Sequence, residues 1–293
     1  YIYRISLKNL LGNNYSIDIY NLLINSIKML MTFLRKIKSK VDLKLVDIEG
    51  GGKHDKLPSD CHVDIVCKKE FENDLLDVFN LYVSEYLSKN LRIEPNLKYE
   101  IEKIDELKFY PMTQESYDHI ASFIELSLNG TYSMDSNTKT TISSSDLSRA
   151  RTSSNKVNVV MVFRSLSKDN LEQMIEKTKL ACDINRGIFT NRLKIPSWQN
   201  KDNKLAKVFK DAHDNLFKTR LKIIKTQYSL DCNLIFYKFD VNMISLGVKY
   251  KQVDIEKSTC DFKDILKTSS LIREVLCRLE KIWSKDDKKT RNS

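Results

Sequence analysis

Leu43-Lys44-Leu45-Val46-Asp47-Ile48 runs into Gly50-Gly51-Gly52, and Cys61-His62-Val63-Asp64-Ile65-Val66 follows shortly after. The second run alternates apolar and polar residues with the period of two that a half-buried strand requires. The first reads as a strand stopped by a glycine turn. Working outward, residues 18–38 carry Leu22, Leu23, Ile27, Leu30, Met31 and Leu34 at helical spacing. Residues 70–88 do the same with Leu75, Leu76, Phe79 and Val83. Tyr1 to about Leu10 and Leu97 to Ile104 alternate as strands. The predicted order is therefore β-α-β-β-α-β.

The order then recurs. A helix is predicted over 113–128, strands over 139–150 and 156–166, a helix over 167–182, and a strand from Gly187 to Leu193. The two stretches share element order without sequence identity. Side by side they predict one continuous antiparallel sheet with helices on one face, in an α/β chain. After Pro196 the texture changes. A helix over 202–217 precedes a strand at Lys222-Ile223-Ile224 and a short apolar segment over 230–237. A strand from Val241 to Leu246 ends at Gly247, and a long helix is predicted over 261–284. Helices alternating with strands read as part of a parallel sheet, one that needs partner strands from outside this segment.

Composition narrows the function. With 293 residues and 41% hydrophobic content, the chain can build one large core or two ordinary ones. The formal net charge is +10. Its sharpest clusters, Arg35 to Lys40 and Lys285 to Arg291, fall at a helix end and a chain end, where cations complement the helix dipole or stay solvated. Aromatic residues follow core spacing rather than forming a stacking platform, so nucleic acid is not an expected partner. No apolar run approaches the roughly 18 residues of a membrane span, so no membrane partner is expected. Six cysteines without a CxxC pair favour a reducing, cytoplasmic setting. The chain opens on Tyr1, already in the rhythm of a strand, which raises the expectation of a missing upstream part.

Motifs for autonomous chemistry are sparse. The histidines, at 54, 62, 119 and 213, lie far apart and show no HExxH spacing. His62, on an alternating strand, reads as a strand-face residue. Gly50-Gly51-Gly52 has no GK[ST] after it and is a turn, not a phosphate loop. Ser143-Ser144-Ser145 and Ser153-Ser154 read as polar strand or loop positions, not as nucleophiles.

Three stretches nevertheless carry a resemblance. They are Ile5-Ser6-Leu7-Lys8-Asn9-Leu10-Leu11-Gly12 with the helix after it; Leu43 to Gly51 with Leu57-Pro58; and Pro196-Ser197-Trp198 with Leu230-Asp231-Cys232 and Met243 to Gly247. In order and spacing the chain resembles the aminoacyl-histidine dipeptidases, also called peptidase D or cytosol non-specific dipeptidase. The resemblance runs from Ile5 to about Ile282 and is weakest between about 88 and 155.

The resemblance implies a di-zinc peptidase fold whose catalytic domain is interrupted by a lid. Residues 1–194 would be the lid, 195–285 the last part of the catalytic domain, and 286–293 a disordered tail. The family's first part, with most zinc ligands and the carboxylate base, would precede Tyr1. The implied substrate is a dipeptide, and the lid is the surface expected to take up a second copy or another protein.

Several family positions are altered. The lid turn Gly-Gly-His-Ser reads Gly12-Asn13-Asn14-Tyr15, so Asn14 replaces a histidine and can donate a hydrogen bond but carries no charge. The helix asparagine that accompanies the turn matches Asn25. The substrate-binding Arg-Asn-Ala-Ile-Pro-Arg-Glu reads His54-Asp55-Lys56-Leu57-Pro58-Ser59-Asp60, with both arginine forks gone. His-Ala-Gly-Leu-Glu-Cys-Gly reads Gln227 to Asn233, with Asp231 as the shortened carboxylate. In the last ligand motif Asp254 falls at the zinc-binding histidine. One carboxylate does not make a zinc centre, so the chain by itself is expected to hold no catalytic zinc and to be inactive. The rival expectation is a non-catalytic binding or assembly protein on the same scaffold.

Overall fold

The computed structural model describes residues 1–11, 24–52, 57–192, 204–221, 223, 227, 231–239, 241, 243–248, 250–252 and 258–290. In chain order the elements of the first part are β1 (Ile2–Lys8), α1 (Ser26–Lys38), β2 (Leu43–Gly50), β3 (Cys61–Cys67), α2 (Glu72–Asn90), β4 (Lys98–Lys103), α3 (Gln114–Leu126), β5 (Gly130–Met134), β6 (Thr141–Ser153), β7 (Lys156–Ser165) and α4 (Lys168–Ile184). Those of the second are α5 (Lys204–Phe217), α6 (Asp231–Phe239), β8 (Tyr250–Gln252), β9 (Ser258–Cys260) and α7 (Phe262–Thr290). The chain divides into two compact units, Tyr1–Arg192 and Leu193–Ser293.

The first unit is a seven-stranded antiparallel sheet. Its order runs β4-β1-β3-β2, and the end of β2 then joins β6 through Glu49↔Arg151 and Gly50↔Ala150. β5 pairs with the start of β6 on the same edge, and β7 takes the opposite edge of β6. This is the continuous sheet that the repeated element order predicts.

Alternation sorts the side chains. Tyr3, Ile5 and Leu7 face the same way as their partners Ile65, Val63 and Cys61, and all are buried. Against them α1 lays Ile27, Leu30, Phe33, Leu34 and Ile37, and α2 adds Leu75 and Phe79. Phe33 is wholly buried: its ring stacks on Tyr99 with centroids 4.5 Å apart, and Phe79 and Tyr86 meet it edge-on. Each such side chain contributes about 1.5–3 kcal/mol by leaving water. α3 packs on α1, and α4 packs on α3 and β7, so the helices form one layer. The opposite face of β1, β2 and β3 carries Arg4, Ser6, Asp47, Glu49, His62 and Asp64.

Gly50 and Gly51 make this packing possible. A Cβ on Gly50 would lie 2.7 Å from both Cys61 Sγ and Ile27 Cγ1. Gly51 has φ +75°, and a Cβ there would lie 2.0 Å from the Ser148 carbonyl oxygen. The turn is thus the point where β2, β3, β6 and α1 converge.

Two expectations for this unit are corrected. Residues 187–192 form no strand; Gly187 closes α4 by donating to the Cys182 carbonyl at 2.8 Å, and Ile188 then points into solvent with no sheet edge to join. β5 went unread because Gly130-Thr131-Tyr132-Ser133-Met134 is short and has only weak alternation.

In the second unit α5 packs along α7, with Phe209 and Ala212 buried against Leu271 and Val275. The described residues over 241–248 form no strand, and the apolar segment before them is the helix α6. The only strand pair among the described residues here is the short antiparallel β8-β9, so no parallel sheet forms among them. An apolar run becomes a strand only where a neighbouring edge accepts its hydrogen bonds. The strand expected at 222–224 lies largely outside the described residues. α7 continues past residue 285 to Thr290, into the segment read as a tail. Among the described residues no helix is long and apolar enough to cross a membrane.

Candidate functional site

Of the residues singled out by the resemblance, the side chains of Asn25 and Ser59 are described; Ser59, in the altered arginine motif, donates its Oγ to Asp60 Oδ2 at 2.6 Å, and Asn25 is the buried one. It caps α1: Oδ1 accepts from the backbone N–H of Ile27 at 3.0 Å and Lys28 at 3.3 Å. Its Nδ2 donates to the Leu147 carbonyl at 2.8 Å and to Asn129 Oδ1 at 2.9 Å. Asn129 Oδ1 also accepts from Leu147 N–H. Asn25 is 3% exposed, and its amide is fully engaged in holding α1 to β6. Asn14, His54, Asp55 and Asp254 lie outside the described residues. Asp231 begins α6, and its side chain also lies outside them. The structure therefore does not bring these positions together into a described site.

What it does assemble is a polar cluster on the face of the sheet opposite α1 and α2. Asp47 and Glu49 alternate along β2, opposite Asp64 and His62 of β3. A β-bulge between Leu45 and Asp47 brings both acids to this face. Arg4 of β1, opposite Asp64, clasps it with Nε at 2.7 Å and Nη2 at 2.9 Å. Glu49 pairs with Arg151 of β6 at 3.5 Å. One carboxylate oxygen of Asp47, one of Glu49 and a ring nitrogen of His62 all lie within 4.8 Å of one another.

The electrostatics favour a neutral imidazole. Burial first, and then the Arg4 guanidinium, hold His62 below the usual histidine range, against the opposing pull of Asp64, Asp47 and Glu49. Beside it, burial pushes the Cys61 thiol far up, which leaves it an inert core residue. The serine run is structural as well. Ser143 Oγ meets Ser165 Oγ at 2.8 Å, and Ser145 Oγ donates to the Leu128 carbonyl.

Sequence reasoning passed over this cluster. Spacing along the chain does not reveal these donors, because they meet through the register Glu49↔His62 between two strands. The usable signal is two acids, Asp47 and Glu49, spaced by two on one strand, with a histidine on its hairpin partner.

No family model matches the sequence, and no curated protein matches it. The fold is a mixed α/β arrangement with an antiparallel sheet. It is similar to the crystal structure of aminoacylhistidine dipeptidase from Vibrio alginolyticus. The TM-score is 0.76 at 19% identity over 94% of this chain. The match covers 57% of that protein, so this chain spans little more than half its length. The likeness to a Burkholderia cenocepacia protein described as an amidohydrolase/peptidase is slight, with a TM-score of 0.24 at 14% identity over 41% of this chain and 30% of that one.

Proposed function

We propose that this protein is a peptidase-D-like homologue, built on the scaffold of a zinc-dependent dipeptidase, whose own residues do not complete a hydrolytic site. The observation that carries this reading is the likeness to the Vibrio dipeptidase over nearly the whole chain. The altered positions supply the second half. Asn14 stands for the lid histidine, His54 and Ser59 stand for the two arginines, and Asp254 stands for the last zinc-binding histidine. In the intact chemistry two metal ions would activate water for attack on the peptide bond. An uncharged amide at the lid position stabilises a developing oxyanion less than an imidazolium does. Residues 1–194 act as the lid and 195–285 as a catalytic-domain remnant. All six cysteines are free, which supports a reducing, cytoplasmic setting.

Hydrolysis is the deciding readout. The purified chain, supplied with zinc, should release no amino acid from aminoacyl-histidine dipeptides. Chelator-sensitive turnover would overturn the reading and make this a divergent enzyme.

A second reading, assembly through the lid, is favoured by β7. This edge strand pairs only with β6 among the described residues and runs Val157-Asn158-Val159-Val160-Met161-Val162-Phe163 without a charge. The other edge, β4, is guarded by Lys98, Glu100, Glu102 and Lys103. A self-associating protein should become monomeric in Val159→Lys during sedimentation. A wild type that is already monomeric leaves the edge without this role.

A further inference from the structure

We propose that Asp47, Glu49 and His62 form a binding site for a divalent cation of the zinc class on the lid sheet. Its three residues do not include Asp254, the ligand position that the resemblance gives. The inference does not rest on the proposed function.

The first argument is Asp47 itself. It is 2% exposed, and among the described residues its carboxylate makes no hydrogen bond and no ion pair. A buried carboxylate without a partner is costly, and proteins relieve that cost by pairing it or by coordinating a metal. The two arginines described beside it have other partners: Arg4 is held in a two-point clasp by Asp64, and Arg151 lies against Glu49 Oε1. The Arg4 charge is shared among Asp64, Glu102 and Asp47, with Asp64 taking its hydrogen bonds.

The second argument is the donor set. One imidazole nitrogen and two carboxylate oxygens suit zinc, which takes nitrogen and oxygen ligands at about 2.0–2.2 Å. The ligand atoms now lie within 4.8 Å of one another. A tetrahedral zinc centre needs about 3.3 Å between ligand atoms. Side-chain torsions of Glu49 and His62, both partly exposed, can close that difference while the strands stay in register. His62 is kept neutral by its surroundings, so its lone pair is available. Glu49 has a second oxygen free of Arg151. Three protein ligands leave a fourth position for water or an incoming anionic group.

The test uses the full chain with Cys260→Ser and Cys277→Ser, because those exposed thiols would bind zinc on their own account. After chelator treatment, calorimetric titration with zinc should show one equivalent bound. Asp47→Asn and His62→Gln should each weaken binding at least about 10-fold, in proteins whose circular dichroism matches the parent. Arg151→Gln, at an exposed side chain, should tighten binding because it releases Glu49. No zinc uptake by the parent that lacks its two exposed thiols would overturn the proposal. So would uptake that Asp47→Asn and His62→Gln leave unchanged, or an Arg151→Gln protein that binds no tighter. Dipeptide turnover would sink the proposed function and leave this site untouched.

Discussion

The two units treat their apolar residues differently. In Tyr1–Arg192 the apolar positions of β1, β3 and α1 close on each other, and Ile5, Leu7, Ile27, Phe33, Val63 and Ile65 are fully out of water. In Leu193–Ser293 the described core is Phe209, Ala212, Leu271 and Val275. There α7 leaves Phe262, Ile265, Leu266 and Leu276 between 45% and 68% exposed. The first unit closes the apolar faces of β1, β3 and α1 on one another around one core. The second has helical periodicity on α7 wider than the partner α5 covers. Stability should therefore be concentrated in the first unit, and substitutions can test whether it is.

The largest expected effect is at Phe33. Phe33→Ala removes a ring that meets Tyr99, Phe79 and Tyr86, and should cost about 3–5 kcal/mol. Urea unfolding followed by circular dichroism measures it. Both tryptophans, Trp198 and Trp283, belong to the second unit by sequence. If the units unfold separately, their fluorescence midpoint stays in place while the dichroism midpoint falls. A common shift would show one cooperative structure and break the comparison.

Next in size is Gly51→Ala. An alanine at φ +75° costs about 1–2 kcal/mol, and relieving the clash with the Ser148 carbonyl adds a comparable amount, so about 2–4 kcal/mol is expected. Gly52, with nothing near its absent Cβ, is the control, and Gly52→Ala should be close to neutral. Equal effects at the two positions would mean that the convergence at the β2 turn is not what holds the sheet to β6.

These two positions also show how the sequence could be read. The core of the first unit was legible because period two and period 3.6 are enforced by burial on one face, and register then follows. Gly50-Gly51 was legible as a turn, but its contact with Ser148 was not, because that contact joins strands about a hundred positions apart. The same limit hid the Asp47, Glu49 and His62 cluster, and it hid the reason for Asn25, whose amide reaches across to Leu147. In the second unit the apolar runs at 230–237 and 241–246 looked alike. Short apolar segments do not distinguish helix from strand unless a neighbour decides.

A smaller effect, with the opposite sign, is expected at Glu94. This wholly buried carboxylate accepts the Leu11 N–H at 2.7 Å, and burial raises its pKa although hydrogen bonds from Leu11 and Ile24 pull it down. Its folded pKa lies above its unfolded value, so its contribution to stability is greatest in acid and is lost as pH rises through the folded pKa. Glu94→Gln keeps an acceptor for Leu11 and removes the charge. The variant should be more stable than the parent at pH 7, and the two should converge as pH falls below the carboxylate range. A variant weaker than the parent at pH 7 would show that the ionised form is needed to hold residue 11 and the chain beyond it.

The smallest expected effect is the sharpest test of the contrast. Leu276 is 61% exposed on α7, whereas Val275 beside it is 2% exposed and packed on α5. Leu276→Gln should change stability by no more than about 0.5 kcal/mol, because an exposed helical position responds mainly to propensity and leucine and glutamine differ little. Val275→Ala should cost more than that. A loss of 2 kcal/mol or more at Leu276 would mean that something covers this face of α7 in solution. The second unit would then be as closed as the first, with the covering surface supplied from outside the described residues.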